Sequence, residues 1–283
     1  MEKEHDIKVR NSSADADYDI VKSACDIALS GPVVVVGDDT DLLIMLLHHF
    51  APDRHKELFM KTATKIINIR ILQEAIGMDL SQSLLFIQAL TGSDVTSRPY
   101  GIGKVSALGK WSSLQEYGKC FILPGKTQEE IEKTGQQALG VVYGCVPGND
   151  LDFERAARFS KKVVTSSSYI PPERLPPTTD AAQYHSRHVY HLVQTWLANN
   201  TAATQWGWVV CDTQNGRILK PQKMDQAAAP STLLKIIKCN CMGNCDKNTC
   251  SCRKNGLNCT LACGNCKGLT CSNAGNINDP EEV

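Results

Sequence analysis

The 283-residue chain has no net charge, with 30 Lys and Arg balancing 30 Asp and Glu. This argues against a surface that is basic throughout, so any patch that attracts polyanions must be local. Long apolar runs are also missing. The two longest, around Val33–Val36 and Leu42–Leu47, are separated by Asp38, Asp39 and Asp41. Neither can cross a bilayer, which takes about 20 apolar residues. There is no internal repeat. The opening stretch MEKEHDIKVRNSSADADYD is charged and polar, unlike a signal peptide or an anchor. Cysteine is scarce up to residue 238, occurring only as Cys25, Cys120, Cys145 and Cys211. These four read as small buried hydrophobes. Free thiols without an export signal point to a reducing intracellular compartment and no membrane partner. The hydrophobic content of 42% suffices for a core in one large or two small domains.

Cysteine then becomes abundant. Nine fall within Cys239–Cys271, spaced C-x-C-x3-C-x4-C-x-C-x6-C-x3-C-x2-C-x4-C. Close pairs at this density are a metal signature. The two thiols of a C-x-C reach one ion readily but pair poorly as a disulfide. An odd number would also leave a disulfide knot, the competing reading, with one thiol over. Zinc leaves no remainder. About three tetrahedral Zn2+ ions have twelve ligand positions, filled by six terminal and three bridging thiolates. Such a cluster carries −3. Around it stand Lys235, Lys238, Lys247, Arg253, Lys254 and Lys267, against the single acid Asp246. The segment has almost no aliphatic core, so metal binding would supply its folding energy.

The run Cys239-x-Cys241, Cys245, Cys250-x-Cys252, Cys259, Cys263, Cys266, Cys271 resembles the tesmin-like CXC domain, a three-zinc module of nuclear DNA-binding proteins. The match is specific over the first seven cysteines and departs at the end, where the family usually has C-x-C-x2-C. Thr249 stands where the family often has a tyrosine used against DNA, and one copy is present where two are common. The resemblance implies structural zinc on all nine cysteines, a nuclear location and a nucleic-acid partner, DNA before RNA. The basic face offers Lys238, Lys247, Arg253 and Lys254 as contacts.

The first part of the chain alternates helix and strand. Residues 19–29 have helical spacing and stop at Ser30-Gly31-Pro32. The run 33–36 reads as a buried parallel strand, followed by GDDTD and a helix or short buried segment. Leu58-Phe59-Met60 reads as another strand. Residues 67–77 read as an amphipathic helix ended by Gly77, and 81–92 as a helix capped by Ser81. Gly101–Lys104 opens a third helix. Residues 126–145 and 181–199 read as helices, 165–180 as a Pro/Ser/Thr-rich connector, and WGWVVCD as a strand. Asp39 and Asp41 follow a strand at the sheet end where open α/β folds place ligands, and alternate carboxylates there suit a hard cation such as Mg2+. Asp15, Asp17 and Asp94 are the further candidates. The bland reading is a solvated turn.

In order, VVVVGDDTDLL, Arg70-Ile71-Leu72-Gln73-Glu74, Leu90-Thr91-Gly92-Ser93-Asp94 and Gly101-Ile102-Gly103-Lys104 resemble the flap endonuclease family of the PIN-like nucleases, over about residues 14–112. The resemblance implies a truncated PIN-like α/β domain with a helix–three-turn–helix. Asp39, Asp41 and Asp94 match the family's metal ligands, and Asp15-Ala16-Asp17 looks like its E-x-E pair, with Asp19 a rival. Gly101, Gly103 and Lys104 resemble the loop that grips the DNA backbone, where glycines let amides approach a phosphate; an ordinary tight turn is the alternative. Two upstream family aspartates have no counterpart here, so little or no turnover is expected of this chain alone.

The expected division is 1–125 as the nuclease-like domain lacking its N-terminal part, 126–231 as helical connector and linker, 232–275 as the zinc module, and 276–283 as an acidic tail. This combination resembles a group of animal proteins associated with mobile elements. Histidines 48, 49, 185, 188 and 191 read as helix-surface residues, and Trp206 and Trp208 as packing for the connector. Three functions stand open: a nucleic-acid binder with a degraded nuclease domain, a Mg2+-dependent structure-specific nuclease completed by further sequence, and a zinc-stabilised protein-interaction module.

Overall fold

The computed structural model describes residues 9–12, 16–165, 172–213, 216–222, 224, 238–254, 256–260 and 263–274. The acidic tail, Asp15 and residues 166–171, 223 and 225–237 lie outside them. The described chain is mixed α/β, dominated by helices and with few strands. It divides into two compact units: residues 1–144 with 182–223, and residues 145–181 with 224–283. This division does not follow the boundaries at 125 and 231 expected from the sequence.

In the first unit, α1 (Asp17–Ala28) leads into β1 (Val33–Val36), α2 (Thr40–His49) and β2 (Leu58–Lys61). β3 (Ile66–Asn68) follows, then α3 (Ile69–Ile76) and α4 (Met78–Thr91). The sheet has the order β1-β2-β3, with β1 parallel to β2 and β3 antiparallel to it. The structure corrects three expectations in this region. The start of the expected 67–77 helix is strand: the β-branched Ile66 and Ile67 pair with Lys61 and Met60, and Asn68 caps α3 by accepting from the Ile71 amide at 3.1 Å. Ser81 does not cap α4, which begins after Gly77; it lies in the first turn and donates its hydroxyl to the Leu47 carbonyl at 2.9 Å. β1 is parallel as expected but not buried. It is an edge strand in which only Val35 is fully covered.

The core lies under the helices. α4 packs against α2 and against α6 (Trp111–Ile122), which packs on α7 (Gln128–Tyr143). Met45, Leu46, Leu58, Leu85, Phe86, Leu114 and Phe121 are fully buried there, and the rings of Phe86 and Phe121 stand 4.7 Å apart. α5 (Lys104–Leu108) is a five-residue helix that ends at Gly109, so the expected third helix is broken in two. α7 carries a full capping box, Thr127 with Glu130.

Within the first unit, residues 182–196 of α9 (Thr179–Trp196) lie on this core. Gln194 donates to the Phe121 carbonyl at 2.8 Å and Tyr190 to the Leu123 carbonyl at 3.1 Å. A Cβ at Gly135 of α7 would lie 2.5 Å from Ser186 Cβ, so only glycine allows this approach. The histidines of α9 correct another expectation. His185 and His188 are buried, because α9 is covered on nearly every side. His185 joins the Ser97 hydroxyl (2.9 Å) and the Leu90 carbonyl (3.0 Å), and His188 the Gly207 carbonyl (2.7 Å). Trp206 is buried against Tyr190 and Trp208 lies against His188, so both tryptophans pack. β4 (Trp208–Thr213) and β5 (Gly216–Pro221) form a hairpin of which sequence analysis anticipated only the first strand.

The second unit holds α8 (Leu151–Thr165), not anticipated from the sequence, and the cysteine module. Cys25, Cys120, Cys145 and Cys211 are half-buried rather than buried. Burial still pushes the Cys25 thiol up to about 11. No described helix is long and apolar enough to cross a membrane.

Candidate metal centre

Among its described residues the module has little regular structure. One helical turn, α10 (Ser251–Lys254), presents Cys252 inward. Elsewhere the backbone wraps the sulfurs through scattered hydrogen bonds: the Gly264 amide to the Cys239 carbonyl (2.8 Å), Cys259 to Asn273 (2.7 Å) and Ser272 to Asn244 (3.0 Å). The tight wrapping demands unusual backbone. Cys245 and Lys267 have φ of 58° and 52° without being glycine. At Gly268, φ is 66° and a Cβ would sit 2.6 Å from the Cys259 carbonyl oxygen.

What the module buries is sulfur. Cys239, Cys245, Cys250, Cys252, Cys259, Cys263 and Cys266 are buried, with Cys241, Leu257 and Cys271 packed beside them. All nine cysteines are free thiols. The Sγ–Sγ separations are 3.7 Å for Cys239–Cys245 and Cys239–Cys259, 3.8 Å for Cys239–Cys266, 3.9 Å for Cys250–Cys259 and 3.6 Å for Cys252–Cys263. A disulfide is about 2.05 Å long. Two thiolates on one tetrahedral Zn2+, each about 2.3 Å from it, stand about 3.8 Å apart. The spacing excludes disulfides and is compatible with ligands that share a metal.

Four groups of four sulfurs have all their members within 4.8 Å: Cys239/241/245/250, Cys239/259/263/266, Cys239/250/252/259 and Cys245/259/266/271. Together they use all nine cysteines. Cys239 and Cys259 each belong to three of them, and such sharing is what bridging thiolates require. Burial raises the thiols of Cys239 and Cys259 far above their ordinary value and that of Cys252 to about 11. Burial also opposes ionisation of Cys250, but backbone hydrogen bonds from Arg253 and Cys252 bring it down to about 7, so the cluster holds both proton-favouring and thiolate-favouring sulfurs. The Asn273 side-chain amide donates to Cys259 Sγ at 3.4 Å and the Cys239 amide to Cys263 Sγ at 3.5 Å. Asn273 is an outer partner that no sequence signal marks. The cysteine cluster is thus compatible with structural metal binding.

The cations around it differ in role. Lys247, Lys254 and Lys267 are exposed. Arg253 is partly buried and donates to the Cys245 carbonyl at 2.7 Å, so it holds the fold of a ligand loop. Lys238 is half-buried.

The carboxylates of the first unit gather less tightly. Asp39 caps α2, accepting from the Asp41 amide at 2.8 Å. Asp41, in the first turn of α2, accepts from the Gln88 side-chain amide. Burial raises the Asp41 carboxyl; the charges of Asp39 and Asp94 add to this, whereas Gln88 and Lys104 oppose it. Asp39, Asp41, Asp94 and Lys104 thus share one electrostatic neighbourhood. Among the described residues, however, every set of three or more ligand atoms within 4.8 Å consists of cysteines. Asp17 opens α1, and Asp15 is outside the described residues. Gly101 has φ of 73°, which favours glycine, and the Ile102 amide closes a turn onto the Pro99 carbonyl at 3.1 Å. Gly103 has an ordinary φ and precedes α5, and Lys104 is exposed. Sequence reasoning missed Gln88, although a lone glutamine inside SLLFIQAL is a visible oddity.

No family model, curated protein or solved structure matches this chain.

Proposed function

We propose that this is a DNA-binding protein, nuclear in location, whose C-terminal module is a three-zinc thiolate cluster of the tesmin-like CXC type. It is joined to a PIN-like, flap-nuclease-like domain that binds rather than cuts. One observation carries this reading: nine free thiols gather in groups of four within 4.8 Å, with lysines on the outside. Three Zn2+ on nine thiolates leave −3, and the surrounding cations more than offset it, leaving a basic surface for phosphates. Structural zinc holds the loops in place and leaves no open coordination position for catalysis.

Elemental analysis of the reduced, purified protein should find close to three zinc ions per chain; one or fewer rejects the cluster. A duplex DNA isotherm measured against salt should flatten when Lys247 and Lys254 become alanine, because fewer counterions are released. An unchanged slope would reject the basic tail as the contact surface and favour the protein-interaction reading.

A Mg2+-dependent nuclease is the second reading, supported by the shared neighbourhood of Asp39, Asp41, Asp94 and Lys104. It ranks second because Asp39 and Asp41 already serve a helix cap and Gln88. Flap and single-stranded substrates incubated with Mg2+ should give equal background from wild type and Asp39→Asn. Cleavage that requires Asp39 would put the nuclease reading first.

A further inference from the structure

Two strand edges of the first unit carry unused backbone groups. On β1, the Val33 amide donates to the Glu57 carbonyl (2.9 Å) and the Gly37 amide to the Lys61 carbonyl (3.0 Å). In a parallel ladder this turns Val33, Val35 and Gly37 toward β2, and the N–H and C=O groups of Val34 and Val36 away from it. No described strand lies beyond β1. The register places the side chains of Val34, Val36 and Ile66 on one face, where they are 56%, 75% and 65% exposed. Parallel strands are ordinarily covered on both faces, and β1 itself carries no lysine, proline or bulge to protect the edge.

The hairpin supplies the second edge. The Gln222 amide donates to the Gly207 carbonyl at 2.7 Å, in phase with the pairs Val209–Lys220, Cys211–Ile218 and Thr213–Gly216. Those pairs exchange hydrogen bonds, so Arg217 and Leu219 point their backbone groups outward from β5. A two-stranded hairpin is marginal alone, and this one leaves Leu219 52% exposed.

We propose that β5 of one copy pairs antiparallel with β1 of a second copy, with Val36 opposite Arg217 and Val34 opposite Leu219. In this register the outward groups of both strands meet, and Leu219 covers Val34. Arg217 then lies near the acidic end of β1, where Asp38 and Asp39 follow Val36. Asp38 is exposed although one of its oxygens accepts from the Ala63 amide at 2.8 Å, and Arg217 is 81% exposed, its one ion pair among the described residues being with the equally open Asp212. Charge favours this contact over self-pairing of β5, which would set Arg217 or Lys220 of the two copies beside each other. Each copy carries both edges, and the proposal takes the two-fold arrangement, in which the contact is made twice and closes, rather than an open chain of copies.

Sedimentation equilibrium of the full chain tests the pairing. The wild type should dimerise, and Val34→Lys and Leu219→Lys should each return it to monomer. Val210→Lys, on the opposite edge of the hairpin, should not. All three sites are about half exposed, so circular dichroism should show unchanged folding. Mixing Val34→Cys with Leu219→Cys copies should, on oxidation, give a 34–219 cross-linked peptide by mass spectrometry, since hydrogen-bonded antiparallel partners about 5.5 Å apart at Cα suit a disulfide. A wild type that stays monomeric at about 100 μM, where even weak specific association is well populated, overturns the proposal. So does a dimer that survives Val34→Lys, or one lost through Val210→Lys.

Discussion

Phe86, Phe121, Leu58 and Met45 fill the interior of the first unit, whereas the buried positions of the tail are Cys239, Cys250, Cys252 and Cys263. The first interior is hydrocarbon and folds because apolar surface leaves water. The second is sulfur, with Leu257 as its one packed aliphatic neighbour among the described residues. A few buried thiols gain too little from leaving water to offset the entropy of ordering loops with left-handed backbone at Cys245 and Lys267. On the proposed reading a bound cation would supply what the tail's sparse apolar interior does not.

The contrast breaks most sharply at Cys252, which is fully buried in α10 and stands 3.6 Å from Cys263 Sγ. Cys252→Ser, or a strong chelator, should unfold the tail and release metal while the first unit melts as before. Far-UV dichroism with a zinc-release dye reads both. Unfolding of the first unit in step with metal loss would mean the two units are not independent.

The converse substitution is next in size. Phe86→Ala removes a fully buried ring packed 4.7 Å from Phe121. It should cost the first unit about 3–5 kcal/mol, as large-to-small core changes do. Metal content per folded tail should not change.

Acid sharpens the comparison with a smaller effect. Burial depresses His48 and His185 to about 4, and His185 has both ring nitrogens already bonded. An unfolded histidine takes up its proton near pH 6.5 while the folded one refuses it. The stabilisation is therefore complete above pH 6.5 and lost as pH falls toward 4, by up to about 3 kcal/mol for each residue. The melting temperature of the first unit should drop across that window. Over the same titration the tail should lose metal as protons compete for thiolate. A first-unit melting temperature that is flat from pH 6.5 to 4 would mean these histidines are not held neutral.

Much of the architecture was legible because its cause is local. Helix periodicity marked α1, α4 and α9, and the valine run marked β1. The cysteine cluster was legible for a related reason: thiolates that share an ion must be able to reach it, and short spacings guarantee that for most of the nine. Other features were not legible because their partners are far away in sequence. Ile67-Asn68 reads as the start of an amphipathic helix until β2 offers it a ladder. His185 and His188 read as surface histidines until Ser97, Leu90 and Gly207 arrive to bond them. Asp41 reads as a candidate cation ligand or a solvated turn residue, and the spacing gives no sign that Gln88, 47 residues on, bonds it.

The sequence by itself determined where metal could bind, because ligand type and spacing are properties of a short stretch of chain. Only the tertiary structure decided which sulfurs lie close together, that Arg253 bonds the Cys245 carbonyl rather than lying on a free surface, and that β1 is an open edge instead of a buried centre. Each of these depends on which neighbour arrives, or fails to arrive, from a distant part of the chain, and residue spacing carries no record of that.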